Sequence, residues 1–518
     1  MNQSRTNKSI LNSVVALLAY LTSAAIAFFS RKVFFESIGP EILGLRTTIS
    51  NLLSMFSLAE LGLGVAIGFF LYKPLHDNDT RTVNEIITVQ AWFYRKLSVI
   101  FLVIGLILMA FLPLIFSDFE GPLWYAYATF ALLLWEVLMS YLVNFRGLIF
   151  GANQNAYRLT INTQGVVIVK SLLQVAVMLY VDNPYPYYLL LEFIVSLIGI
   201  FILEYMINRD YPWLRPDLKQ GRSLLKKHPE IIKKTKEIFV HKLAGVCAGN
   251  VAPLIIWKYT SLVVIAYYSN YTMVVANLNA ISSAVFGSIG ASIGNLVAEG
   301  NREKIFRFFW EFLALRNFVA TIICFIIYNF SHPFIILWVG AESELDNITL
   351  LLITTTAFVS QSRATQDAFL AAKGLYQDVW APIIEASLNI GCGILFGHFW
   401  GLPGVLLGTL ISYIVIIVVW KLFFLFRTGF EISVWIYWRS YAKYLLVALL
   451  SIVVGTYLVR WSEPDYSSWG SFVLNASLYS IAFSSILLGI YLLMSDGARR
   501  MSLRFVEIGR KMVGRLRG

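Results

Sequence analysis

The chain has 518 residues, of which 58% are hydrophobic and only 14% charged, with a formal net charge of +11. Charge at about half the soluble norm excludes an ordinary globular protein, because a single aqueous core does not grow large enough to bury so much apolar surface. Cys247, Cys324 and Cys392 all lie inside apolar runs and the five histidines are scattered, which argues against disulfide and metal frameworks.

Windows of about 20 residues place the first span at 11–35. Arg5, Lys8 and Ala25-Ile26-Ala27 imitate a signal peptide there, but the apolar run continues to Phe35, so an uncleaved first helix is expected. Spans at 43–71, 95–116, 123–146, 159–181 and 187–207 complete a first group. The segment 208–236 is strongly basic (Arg209, Arg215, Lys219, Arg222, Lys226, Lys227, Lys233), with Leu224, Leu225, Ile231 and Ile232 on a partly apolar face. It fits either a surface-lying amphipathic helix or a solvated linker held by anionic lipid. Spans at 237–257, 262–297, 305–335, 348–372, 379–399 and 402–426 form a second group, and 440–460 with 471–494 a C-terminal pair before a basic tail.

The expected fold is therefore all-α: a polytopic membrane protein of fourteen spans. An N-terminal lobe (1–207), the basic linker (208–236), a C-terminal lobe (237–426) and an added helix pair with tail (427–518) make up the chain. Lysine and arginine alternate with loop parity, which places the linker and both termini in the cytoplasm. The basic residues gather between apolar runs rather than among aromatics on one module, so no nucleic-acid partner is implied. Sliding the chain by about 220 residues sets Arg81 on Arg302 and Arg95 on Arg316, as two repeats of like orientation would.

Gly64 with Gly68, Gly287 with Gly290 and Gly294, Gly393 with Gly397, and Gly404 with Gly408 have the spacing of close helix packing. The clusters on the second and eighth spans also suit bending during transport. Charges inside spans carry more information, because each is costly at bilayer depth. Arg31, Lys32, Arg46 and Lys258 lie toward the outer side, against the positive-inside pattern. Snorkelling and cavity lining both fit Lys32 and Lys258. Arg31 and Arg46, converging from neighbouring helices, are expected to line a cavity as a cationic patch suited to phosphate or carboxylate. A deeper group holds Arg146, Lys170, Lys242, Arg316 and Arg363 with Glu60, Glu136, Glu192, Asp367 and Glu385. Arg363 and Asp367 have the i,i+4 spacing of an intrahelical ion pair. Glu60 suits either a coupling proton or a structural partner for a facing cation. No phosphate loop, metal cluster or nucleophile elbow is present in the sequence, so neither an enzyme nor a cofactor is expected.

Residues 34–45, Asn51-Leu52-Leu53 and Ala59-Glu60-Leu61-Gly62-Leu63-Gly64 resemble the start of Wzx-type polysaccharide flippases. Tyr72-Lys73-Pro74-Leu75, Ala371-Ala372-Lys373-Gly374 and Gly401-Leu402-Pro403-Gly404 continue the resemblance over most of the chain. It implies two six-helix lobes around a central cavity, and a flippase that moves an undecaprenyl-diphosphate-linked oligosaccharide across the bacterial inner membrane by alternating access. It further implies membrane lipid contacts, H+ or Na+ coupling and a complex with polysaccharide polymerase machinery. Arg31, Arg46, Lys32, Lys258, Arg146 and Arg363 are the substrate-binding candidates, and Glu60, Asp367 and Glu385 the ion-coupling candidates. Two other functions fit the chain less well: a multidrug or metabolite antiporter of the same fold, and a membrane O-antigen polymerase or glycosyltransferase. The second usually has a large outer loop, and every expected outer loop here is short.

Overall fold

The structure, a computed structural model, describes residues 5–55, 63–153, 155–232, 235, 254–286, 293–294, 296–297, 299–375, 377–378, 380–494 and 499. Every regular element among these is helical, and by internal contacts the chain divides into Met1–Ala266 and Tyr267–Gly518. Nine helices among the described residues are long and apolar enough to cross a bilayer. The span expected at 237–257 lies largely outside the described residues, as do 56–62 and 287–292 of its neighbours.

The first unit contains Arg5–Ser37 (α1), Pro40–Ser54 (α2), Leu63–His76 (α3), Thr80–Ala110 (α4), Leu123–Leu142 (α5), Ala156–Tyr180 (α6) and Tyr185–Asp210 (α7). α1 runs along α6, α6 along α7, and α4 along α5. Their apolar side chains do not all turn inward. Leu17, Val99, Ile107, Leu179 and Phe201 remain on the surface of the unit, the stable arrangement for a helix whose solvent is hydrocarbon.

The described part of the linker includes a helix, and this helix packs on the first unit. After Asp210 the chain folds back on α4 as a short helix, Gly221–Lys227, with Gly221 set against Trp92. Lys227 Nζ donates to Glu85 at 2.6 Å, His228 Nε2 lies 3.0 Å from the same carboxylate, and Asn84 takes the Arg215 amide at 2.8 Å.

The second unit holds most of Leu262–Phe286 (α8), then Arg302–Val339 (α9), Asn347–Ala372 (α10), Trp380–Tyr413 (α11), Trp435–Trp461 (α12) and Trp469–Met494 (α13). Helices α8 and α10, of 25 and 26 residues, are interrupted by polar side chains, Asn270, Asn277 and Asn279 in the first and Thr354, Gln361 and Arg363 in the second. Asp79 caps α4 by accepting from the Thr82 amide at 3.0 Å, and Asn301 caps α9 by accepting from the Lys304 amide at 3.0 Å. These two starts have the offset near 220 that a repeat requires. The C-terminal pair is fastened to α9: Asn317 donates to Tyr441 of α12 at 3.0 Å and accepts from Tyr491 of α13 at 2.6 Å.

Within α11 the backbone reverses at Gly401, whose φ of 57° and ψ of −130° leave the helical region, and Pro403 opens the second arm. Both arms then pack backbone to backbone. A Cβ on Gly404 would collide with the Phe396 carbonyl, and one on Gly408 with the Gly393 amide, as the small-residue spacing requires. Gly68 differs: its nearest neighbour is the Leu148 side chain at 4.0 Å, so no close helix approach occurs there. Gly287 and Gly290 lie outside the described residues.

Gly408→Ala is therefore expected to cost about 1–3 kcal/mol in unfolding experiments in detergent. Gly391→Ala, which meets nothing within 4 Å, is expected to be neutral or slightly stabilising. Equal responses from the two variants would contradict the packing assigned to the arms.

Candidate functional site

Five helices of the first unit bring ionisable side chains to one place. Arg46 of α2 donates through Nη2 to Glu192 Oε1 of α7 at 2.5 Å, and its guanidinium lies over the Tyr188 ring, 5.2 Å from the centroid. Lys170 of α6 donates to the same Glu192 oxygen at 2.9 Å and stands 3.7 Å from Glu136 of α5. Ser196 donates to Glu136 at 2.8 Å. Arg31 of α1 lies within electrostatic reach of Arg46 and Tyr188.

Two cations, Arg46 and Lys170, thus share the carboxylates Glu192 and Glu136, with Arg31 near Arg46. The Glu192 side chain is only 2% exposed. Its two bonds to cations compensate a desolvation that would otherwise amount to several kcal/mol. The sharing is incomplete, since Arg46 Nη1 and Glu192 Oε2 are buried with no hydrogen-bond partner among the described residues.

The outer-side arginines and the deeper carboxylates, separate groups in the linear reading, are one cluster here. A signal for this was present. Arg31 lies six residues before the end of α1, Arg46 six after the start of α2 and Glu192 seven after the start of α7. At 1.5 Å per residue, all three fall about 10 Å inside the same ends of their helices.

The second unit carries a cluster of its own. Arg363 Nε donates to Asp367 at 2.9 Å, the expected i,i+4 pair, and Nη1 donates to Glu385 of α11 at 2.9 Å. Lys421, beyond the second arm of α11, donates to Asp367 at 2.8 Å. Glu385 is 2% exposed, so Arg363 is already committed to two carboxylates. Arg316 is also buried, held by Ser282 Oγ at 3.3 Å and the Gln361 carbonyl at 3.0 Å, with Phe286 beneath its guanidinium.

The remaining candidates are dispersed. Arg146 pairs with Glu204, next to the Arg158–Asp210 pair. Lys32 lies 3.8 Å from Glu36 on a substantially exposed face, a pair worth little energetically. Lys258 is exposed and lines a cavity of about 830 Å³ with Glu41, Asp118 and Glu120. Glu60 and Lys242 lie outside the described residues.

One large apolar feature was not foreseen. A groove of about 690 Å³ runs between α9, α10, residues 414–422 and α12, lined by Val359, Ile417, Leu445 and Val453 and reaching Arg460. Leu449 and Val453 on its rim are more than half exposed, so it opens on the surface of the unit.

No family model matches this chain, and no curated protein matches its sequence. Among solved structures, it is similar to the lipid II flippase MurJ in an inward closed conformation. The TM-score is 0.64 at 16% identity, covering 92% of this chain and 100% of that one. An inward-facing multidrug resistance MATE family transporter of the MOP superfamily has a TM-score of 0.54 at 13% identity, over 81% of this chain and 99% of that one. A MOP superfamily transporter from Pyrococcus furiosus, described by the reverse polarity of its binding pocket, gives 0.51 at 12% identity, over 83% and 98%. The chain therefore shares the fold of these solved structures.

Removing Glu192 takes the carboxylate from Arg46 and leaves Lys170 with the more distant Glu136. Glu192→Ala is expected to lower unfolding stability by about 3–5 kcal/mol, whereas Ser196→Ala, which deletes one hydrogen bond, costs about 1 kcal/mol. Denaturant titration in detergent checks this, and a Glu192→Ala protein as stable as Ser196→Ala would refute the buried cluster.

Proposed function

We propose that this chain is a flippase that moves an undecaprenyl-diphosphate-linked oligosaccharide across the bacterial inner membrane, by alternating access, for surface polysaccharide assembly. The observation that carries the reading is the pair of cations, Arg46 and Lys170, held on Glu192, with Arg31 near Arg46 and Tyr188. A diphosphate needs cations inside a low-dielectric protein, and a guanidinium fork binds phosphate oxygens in pairs. Arg46 already has an unengaged nitrogen. When it turns to an anion, Glu192 keeps Lys170 as its counter-ion, so binding does not leave a buried carboxylate alone. Exchange of partners among fixed charges lets a site accept and release a charged headgroup without rebuilding the surrounding helices.

Two further features support a lipid-linked substrate. The open apolar groove beside α12 suits a polyprenyl tail that stays in hydrocarbon while the head crosses. In addition, the match falls from 92% of this chain with the lipid II flippase to 81% with the MATE transporter, a difference about the size of the α12–α13 pair.

Ion coupling is assigned to the second cluster. Protonation of Asp367, shared by Arg363 and Lys421, would release both cations at once, whereas Glu385 holds only Arg363. An organic-cation antiporter is the second reading, favoured by the three carboxylates of the outer cavity.

Arg46→Ala is expected to lower export of surface polysaccharide roughly 10- to 100-fold, the loss of one or two charge-assisted bonds, at normal membrane insertion. Arg46→Lys keeps the charge without the fork and falls between. Export at the wild-type rate by a well-inserted Arg46→Ala protein removes the cluster from the substrate path.

A further inference from the structure

We propose that the 830 Å³ cavity of the first unit is a carbohydrate-binding site that admits neutral and amino sugars and rejects acidic ones. It rests on the flippase reading only for the source of the sugar; the chemistry is that of the cavity itself. The volume lies in the range of pockets that enclose small ligands. By the loop-charge reading, the walls at 36–41, 117–121 and 258–261 all face outward.

The lining combines two surfaces that suit a sugar. Trp257 and Phe119 offer aromatic rings, on which the apolar C–H faces of a pyranose can stack. The Trp257 ring is braced by the buried Phe116, with centroids 5.4 Å apart. Glu41, Asp118 and Glu120 supply carboxylate acceptors for sugar hydroxyls; the hydroxyls of Ser117 and Thr260, which donate to Asp118 and to the Ile256 carbonyl, can still accept, and Ser261 can donate. The walls are joined, because Glu41 accepts the Glu120 amide at 2.8 Å and so ties the turn after α4 to α2.

Charge sets the selectivity. Among the described lining residues three carboxylates stand against one cation, Lys258, a negative balance that disfavours uronic acids and phosphates. An organic cation would have to compete with Lys258 for the same carboxylates, whereas a neutral sugar can use the ammonium as one more donor. Helix α2 keeps this chemistry apart from the arginine cluster. Glu41, Thr48 and Leu52 line the cavity at helical spacing, and Arg46, two residues from Thr48, projects from nearly the opposite face, about 200° away. One helix thus separates a surface for phosphate from a surface for sugar.

The test is saturation-transfer NMR on the full chain in detergent. The probes are phosphate-free oligosaccharide released from the surface polysaccharide of the producing cells, simple neutral, amino and uronic sugars, and tetraphenylphosphonium. The neutral and amino sugars are expected to bind and the uronic acids not. Trp257→Ala is expected to weaken binding about tenfold. Asp118→Asn combined with Glu120→Gln is expected to gain binding of uronic acids, an outcome that misfolding does not produce. Absence of saccharide binding by the wild-type chain, indifference to Trp257→Ala, or displacement of bound sugar by tetraphenylphosphonium would each overturn the proposal. Sugar binding by a chain that fails to flip lipid sinks only the flippase reading; flipping without sugar binding sinks only this one.

Discussion

A carboxylate buried among membrane helices has no water to turn to, so whatever it pairs with must be supplied by another part of the chain. Glu192 imposes that condition on the first unit. Its side chain is almost fully enclosed, and one of its oxygens holds both Arg46 and Lys170. Helices α2, α6 and α7 are thereby set in register with one another, and Glu136 draws α5 into the same arrangement through Lys170. The packing of the surrounding aromatic residues follows. Tyr188 lies beneath the Arg46 guanidinium, stacked against Tyr185 and edge-on to Phe34 of α1.

The second unit meets the same condition with opposite signs. In the first unit α5, α6 and α7 carry acid, base and acid: Glu136, Lys170 and Glu192. In the second, α10, the first arm of α11 and the segment after its second arm carry Arg363 with Asp367, then Glu385, then Lys421. If the chain is an internal repeat, its halves have kept three charged helices and exchanged their polarity. The first cluster brings Arg31 and Arg46 near one another, as an anion site requires, while the second shares Asp367 between two cations, as a site for charge switching requires.

Features that depend on bulk hydrophobicity or on neighbours in sequence were legible before the structure. Apolar runs located the helices, and the glycines on the arms of α11 announced close packing because Gly401 makes the arms adjacent. Arg363 and Asp367 were legible as a pair for the same reason, being one helical turn apart. Contacts across long separations were not. Arg46 and Glu192 are 146 positions apart, and nothing in helical periodicity chooses one acid as partner over another. The linker illustrates the same limit: its basic and apolar pattern suited several surfaces, and distant partners such as Glu85, 142 positions from Lys227, specify the one it occupies. Gly44 has no glycine partner at helical spacing, yet its backbone meets that of Leu262 too closely for any Cβ.

The central claim is that the charges around Glu192 carry a diphosphate-linked sugar across the bilayer. It is tested most directly by reconstituting the chain into liposomes with a fluorescent polyprenyl-diphosphate oligosaccharide and following its loss from one leaflet with a membrane-impermeant quencher. The account predicts transfer that requires the protein, is competed by unlabelled diphosphate-linked glycolipid, and is not competed by a neutral glycolipid of the same tail. Leaflet exchange no faster than in protein-free liposomes, or equal competition by the neutral lipid, would contradict it.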